Sequence, residues 1–186
     1  LLAVTQTSAQ FGVLCKQTMS LTAPAGRMER FSHPNGAAVF VDYAHTPDAL
    51  EQVLVTLRGL LADNGKLVVV FGCGGERDRG KRPLMGAVAA ELAEHVIITS
   101  DNPRGENPEQ IINDILKGMG RRAEQAIVEP DRLTAIKQGL AELNSHDCLL
   151  IAGKGHEQGQ IINGVVHPFD DRSVVCSLIK TGDGDD

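Results

Sequence analysis

Asp101-Asn102-Pro103-Arg104 packs two side chains with acceptor oxygens, a fixed φ and a guanidinium into four residues, directly after the apolar run Val96 to Thr99. Proline stiffens the turn that carries its neighbours, and an arginine can offer its planar fork to a carboxylate. The same residues also make an ordinary polar loop between a strand and a helix capped by Asn107-Pro108. Three more stretches are loaded in the same way: Asp42-Tyr43-Ala44-His45, the glycine-rich Gly72 to Arg82 with Arg77 in its middle, and Gly153-Lys154-Gly155-His156-Glu157. Each follows an apolar run.

Two of these stretches invite motif assignments that the residues refuse. Arg77 stands where a dinucleotide fingerprint needs its third glycine. Gly75 to Lys81 fits G-x-x-x-x-G-K, but Arg82 replaces the hydroxyl residue that would hold Mg²⁺, and Glu76 and Asp78 make a poor phosphate cradle. The glycines still allow tight turns that bring Arg77 over a sheet edge. In His156-Glu157, Gln160 occupies the place of the second histidine of a zinc protease motif, and no site reaches the ligand count for zinc. His156 reads as a structural hydrogen-bonding residue. Glu157 reads as a carboxylate able to accept from an ammonium.

The elements that must position these loops follow from periodicity. Ala37–Val41, Leu67–Phe71, Val96–Thr99, a short segment near 126–128, and Cys148–Ala152 read as strands, several of them apolar throughout as in a parallel sheet buried on both faces. Between them lie helical patterns. One starts at Thr46-Pro47-Asp48, with a hydroxyl N-cap and proline at the first position, buries Leu50, Val53, Leu54, Leu57, Leu60 and Leu61, and is broken at Asp63-Asn64-Gly65. The next turns Leu84, Met85, Val88, Ala89 and Leu92 inward. Asn107-Pro108 opens a third helix, with Ile111, Ile112, Ile115, Leu116 and Met119 inward. Asp131 opens another, carrying Leu133, Ile136, Leu140 and Leu143. A strand or hairpin spans about 160–167, and Asp170-Asp171 caps a last helix. The alternation predicts an α/β fold, a Rossmann-like, mostly parallel sheet with helices on both faces. Ligands of such sheets bind beyond the carboxyl ends of the strands, so the four loaded loops are expected along one edge.

Bulk composition narrows the partners. With 186 residues there is enough chain for one ordinary domain and a real core. A net charge of −6, no Trp and one Tyr give no general basis for binding nucleic acid or an anionic membrane. No apolar run approaches the length of a membrane span. Cys15, Cys73, Cys148 and Cys176 are widely spaced, which suits reduced thiols in the cytoplasm, with Cys148 and Cys176 read as buried. Residues 1–23 read as a tail or interdomain junction, 24–182 as the domain and 183–186 as a disordered tail. The start at Leu1 suggests a fragment lacking an N-terminal portion.

Taken together, Ala25-Gly26-Arg27-Met28-Glu29, Val41 to Asp48, Phe71 to Asp78 with Gly80-Lys81-Arg82-Pro83, Asp101 to Arg104, and Ala152 to Glu157 resemble the C-terminal domain of the Mur ligases. Within that family they look most like the branch that adds meso-diaminopimelate. The similarity covers about residues 24–180, with the motifs in order. It implies a three-domain enzyme of peptidoglycan biosynthesis in which ATP phosphorylates the glutamate carboxylate of UDP-MurNAc-L-Ala-D-Glu. The amine of the incoming amino acid then attacks the acyl phosphate. ATP and Mg²⁺ would be bound mainly by domains absent from this chain. Carried over by position, the resemblance assigns Arg77, Asp101, Asn102, Pro103, Arg104, Gly153 and Glu157 to the amino acid, and Arg27, Asp42 and His45 to the nucleotide. It assigns no catalytic residue and no metal ligand here. Arg104 would read the distal carboxylate that distinguishes diaminopimelate from lysine. A free-standing amino-acid or nucleotide binding module and a folylpolyglutamate-synthase-like ligase domain are the alternatives.

Overall fold

The computed structural model describes residues 24–62 and 64–181. The junction expected at 1–23, Cys15, Asp63 and the tail expected at 183–186 lie outside the described residues. Six strands make the main sheet: β1 (Glu29–Ser32), β2 (Ala38–Asp42), β3 (Leu67–Phe71), β4 (His95–Ile98), β5 (Ile127–Val128) and β6 (Cys148–Ala152), in the order β1-β2-β6-β3-β4-β5. Only the β1–β2 pairing is antiparallel; β2–β6, β6–β3, β3–β4 and β4–β5 are all parallel.

Side-chain alternation along the central strands divides the core into two layers. Leu67, Val69 and Phe71 of β3, with Val96 and Ile98 of β4 and Leu150 of β6, face α1 (Pro47–Arg58), α2 (Lys81–Leu92) and α3 (Pro108–Leu116). Val68, Val70, Ile97, Leu149 and Ile151 face α4 (Arg132–Ala141) and α5 (Asp171–Thr181) on the other side. All residues of β3 and β6 are buried, which is why the sequence there shows unbroken apolar runs rather than alternation.

The helix starts follow their capping residues. Thr46, Asn107 and Asp131 each sit at an N-cap and accept from a first-turn backbone N–H, with Pro47 and Pro108 at the first helical positions of α1 and α3. The ends were less legible. α1 stops at Arg58, with Gly59 as its C-cap, rather than at Asp63-Asn64-Gly65; Leu60 therefore leaves the inward stripe and is 70% exposed. Leu84 and Leu133 are also exposed, because the inward row of α2 runs through Met85, Gly86, Ala89 and Ala90, and because Arg132 takes the inward position at the start of α4. Cys148 is buried as expected, but Cys176 is exposed, turned outward one position after the buried Val175.

Three features were not foreseen. The edge strand β1 is only four residues long, alternates between half-buried and exposed positions, and carries no apolar run. A short 3₁₀ helix, Gly120–Gln125, precedes β5. The expected hairpin exists as β7 (Gly159–Ile162) and β8 (Val165–Pro168), but it forms a separate two-stranded sheet.

Candidate functional site

Because β2, β6, β3 and β4 are adjacent and parallel, their carboxyl ends stand side by side. The loops that leave them are the four singled out by residue type. They enclose a cavity of about 440 Å³, within the size range of small-ligand sites, lined by His45, Arg77, Asp101, Asn102, Arg104, Gly153 and Glu157 among the expected residues. Tyr43, Thr46, Gly74, Asp78 and Lys81 complete the lining.

Arg104 is held from three sides. Its backbone has φ +53°, uncommon for a residue with a side chain, and is fixed by its N–H donating to Ile161 O (2.9 Å) and its carbonyl accepting from Asn163 N (2.6 Å). The β7–β8 hairpin thus grips the loop through main-chain bonds. On the side chain, Nη1 donates to Gly75 O (2.8 Å) and Asn102 O (3.3 Å), leaving Nε and Nη2 as the guanidinium donors for a ligand. Pro103 is buried beneath this turn and does not line the cavity.

The glycine-rich loop after β3 braces the loop after β4. Gly75 donates to Asn102 O (2.9 Å), and a β-carbon at Gly75 would stand 1.9 Å from Pro103 O, so only glycine permits this approach. The N–H of Glu76 bonds Glu106 and that of Gly80 bonds Asp78 Oδ1, so these loop amides are already in use. Lys81 Nζ donates to His45 O (2.7 Å), joining this loop to the one after β2. Arg82 is buried and pairs with Glu106 and Asp114 at 3.0 and 3.1 Å. Arg77 projects at the exposed rim.

The acidic side of the cavity is equally built. Asp101 and Asn102 are buried, and Asp101 Oδ1 has no hydrogen-bond partner. Gly153, at φ +115°, runs close under Asp101, where a β-carbon would lie 3.6 Å from Asp101 Oδ2. Glu157 Oε2 accepts from Asn102 Nδ2 at 2.9 Å and lies 3.2 Å from the Lys154 ammonium. Burial works to raise the Glu157 pKa, but these two partners and the Arg104 charge outweigh it and hold the carboxyl below its ordinary value.

Below the floor, the fully buried Arg132 pairs with Asp171 at 2.8 Å and donates to Ser100 O and Ala152 O, the carbonyls just before Asp101 and Gly153. One guanidinium therefore fixes the ends of β4 and β6 relative to α5.

The residues expected to face a nucleotide form a second group. Asp42 is occupied as a brace: Oδ1 accepts from Ala44 N and Oδ2 from Met28 N, each at 2.7 Å. Arg27 is exposed, with its guanidinium 5.4 Å from the centre of the Tyr43 ring, and the His45 ring packs tilted against that ring with the centroids 4.6 Å apart. Of the three, only His45 reaches the cavity wall. Residue types alone did not single out Tyr43, Lys81, Lys154 or Arg132. The visible signal for Lys154 was a lysine between two glycines after a fully apolar strand, where both glycines have positive φ and the turn aims the side chain inward.

Comparison with known proteins now decides the family. The Mur ligase, glutamate ligase domain family matches residues 26–155. The chain belongs to the Mur ligases. It is 48% identical over 173 residues to the UDP-N-acetylmuramoyl-L-alanyl-D-glutamate--2,6-diaminopimelate ligase of Prochlorococcus marinus subsp. pastoris, a match covering 90% of this chain and 33% of that protein. The enzyme of the same name from Chlorobaculum tepidum is 54% identical over 151 residues, 81% of this chain and 29% of the other. A solved structure of a ligase of that name superposes with a TM-score of 0.82 at 44% identity, covering 96% of this chain and 37% of that one. The chain thus spans about a third of the length of these Mur ligases and corresponds to their C-terminal part. The family is ATP-dependent and generally uses Mg²⁺.

Proposed function

We propose that this Mur ligase chain is the amino-acid-binding domain of the enzyme that joins meso-diaminopimelate to UDP-MurNAc-L-Ala-D-Glu in the cytoplasm. The observation that carries this reading is the interleaving of charges in one cavity: Arg77, Lys81 and Arg104 against Asp78, Asp101 and Glu157. Diaminopimelate has an ammonium and a carboxylate at each end. A ligand with two zwitterionic ends matches a wall with two guanidinium groups and several carboxylates better than lysine does, whose far end is an ammonium alone.

In this reading the Nε and Nη2 donors of Arg104 take the distal carboxylate, while Glu157 Oε1 receives the distal ammonium beside the buried Asp101 carboxylate. Asn102 and Gly153 shape that end, Pro103 stiffens the turn, and Arg77 closes the rim. The other end of the ligand is left pointing out of the cavity, so that its amine can reach an activated carboxylate. ATP with Mg²⁺ supplies that activation when bound by the rest of the enzyme. The residues here do not fit a polyphosphate, because the amides of Gly75, Glu76 and Gly80 are engaged within the protein and Glu76 and Asp78 place carboxylates in the loop; Arg27 and His45, both near Tyr43, fit at most the edge of a nucleotide, and Asp42 holds the segment that carries Arg27. What this chain contributes is binding, orientation and selection of the amine nucleophile.

The test is phosphate release by the full-length ligase with ATP and UDP-MurNAc-L-Ala-D-Glu, started with either meso-diaminopimelate or lysine. Release that depends on diaminopimelate and is weaker by orders of magnitude with lysine is expected. Equal use of both amino acids refutes the reading.

A further inference from the structure

Lys154 is fully buried at the end of β6, and a buried ammonium must be paired and hydrogen-bonded to be tolerated there. Its Nζ donates to Asn102 Oδ1 at 3.1 Å and to Glu157 Oε2 at 3.2 Å, and lies 3.5 Å from Asp101 Oδ1. These are the residues assigned above to the ammonium end of the ligand, yet Lys154 itself does not line the cavity.

The bonds have a direction. Asn102 Oδ1 also accepts from Ile161 N at 2.9 Å, so two donors demand the oxygen on that side of the amide. The amide nitrogen is thereby turned to Glu157, where Nδ2 donates to Oε2 at 2.9 Å. Lys154 ends on the same oxygen, which leaves Oε1 of Glu157 for a ligand. The charged groups around this carboxylate are Lys154, Arg104, Arg132 and Asp101. Lys154 is the one of them bonded to it directly.

We propose that Lys154 is a positioning residue for the substrate ammonium: buried out of substrate contact, it fixes the orientation of Asn102 and holds Oε2 of Glu157, so that Oε1 is presented to the cavity. The inference rests on the reading of the cavity as the diaminopimelate site. It gives Lys154 a role in recognition separate from holding the loop together.

The experiment uses the full-length ligase with Lys154→Met, Glu157→Gln and the pair, measuring KM for diaminopimelate and for ATP, kcat and thermal unfolding. Lys154→Met should raise the diaminopimelate KM about ten- to a hundredfold, the range for losing one hydrogen bond between charged groups, with the ATP KM within about twofold. Its KM relative to the unsubstituted enzyme should grow as pH is lowered toward the ordinary carboxylate range, because one of the partners that hold the Glu157 carboxyl below its ordinary value is gone. In the Glu157→Gln background the same substitution should have a smaller effect and no such pH trend. Equal factors in both backgrounds, an unchanged diaminopimelate KM, or parallel rises in both KM values overturn the proposal. Should Lys154→Met fail to fold, the pair is compared with Glu157→Gln alone, where a tenfold or larger rise overturns it. Failure of the unsubstituted enzyme to use diaminopimelate overturns this proposal together with the assigned function, whereas use of diaminopimelate with an indifferent Lys154 overturns the proposal alone.

Discussion

Replacing Arg104 by alanine isolates the group that separates diaminopimelate from lysine. Nη1 is spent on the Gly75 and Asn102 carbonyls, so the ligand is offered Nε and Nη2. Two hydrogen bonds from a guanidinium to a carboxylate contribute roughly 1.5–3 kcal/mol each, or about 3–6 kcal/mol together. At about 1.4 kcal/mol per factor of ten, kcat/KM for diaminopimelate should fall by roughly 10² to 10⁴, and kcat/KM for lysine by less than about tenfold. The substitution adds little backbone strain of its own, since arginine and alanine share the same difficulty at φ +53°. Arg104→Lys keeps the charge without the planar fork and should recover only part of the loss. The assay is phosphate release by the full-length ligase at subsaturating concentrations of each amino acid. An equal loss for both, which leaves their ratio unchanged, would refute the assignment and make Arg104 a brace for the glycine loop rather than the reader of the second carboxylate.

Three further outcomes follow from the scaffold. Gly75→Ala forces a β-carbon against Pro103 O and should destabilise this chain by about 1–3 kcal/mol or more, seen as a drop of several degrees in Tm by calorimetry. Asp171→Asn leaves the buried Arg132 without its counter-charge and should cost about 3–5 kcal/mol in urea unfolding, while Arg132→Met with Asp171→Leu should recover much of that. Glu29, Glu94, Glu106, Asp114, Asp147 and Glu157 all titrate below their ordinary values. Carboxylates depressed in the folded state contribute stability that is present above their unfolded pKa, near 4, and is lost as pH falls through the folded values. Stability should therefore be level above about pH 5 and decline below about pH 4, as read by denaturant midpoints.

The legible parts of the fold were those where one physical signal acts locally. The apolar runs of β3 and β6 and the caps at Thr46, Asn107 and Asp131 read directly as buried strands and helix starts. The four loaded loops could be placed on one edge because parallel connectivity leaves few choices of where strand ends go. What stayed hidden depends on distant partners. β1 is strand only because β2 offers it an edge, and Leu133 is exposed because Arg132 claims the inward place to meet Asp171. The site shows the same division. Arg104, Asp101 and Glu157 carry their chemistry in their residue types, whereas the importance of Lys154 and Arg132 lies in what they point at, and direction is not written in composition.

The grip of the β7–β8 hairpin on Arg104 also bears on how selectivity could be moved between enzymes. The left-handed turn at Arg104 is closed by main-chain bonds to Ile161 and Asn163, and Asn102 is fixed by the N–H of Ile161. The recognition element is thus two segments far apart in the chain, joined mostly by backbone, with Gln160 Nε2 of the hairpin adding a side-chain bond to Asp101 O at 2.8 Å. Transplanting Asp101 to Arg104 alone into a related domain would carry over the letters without the conformation; the hairpin has to travel with the loop.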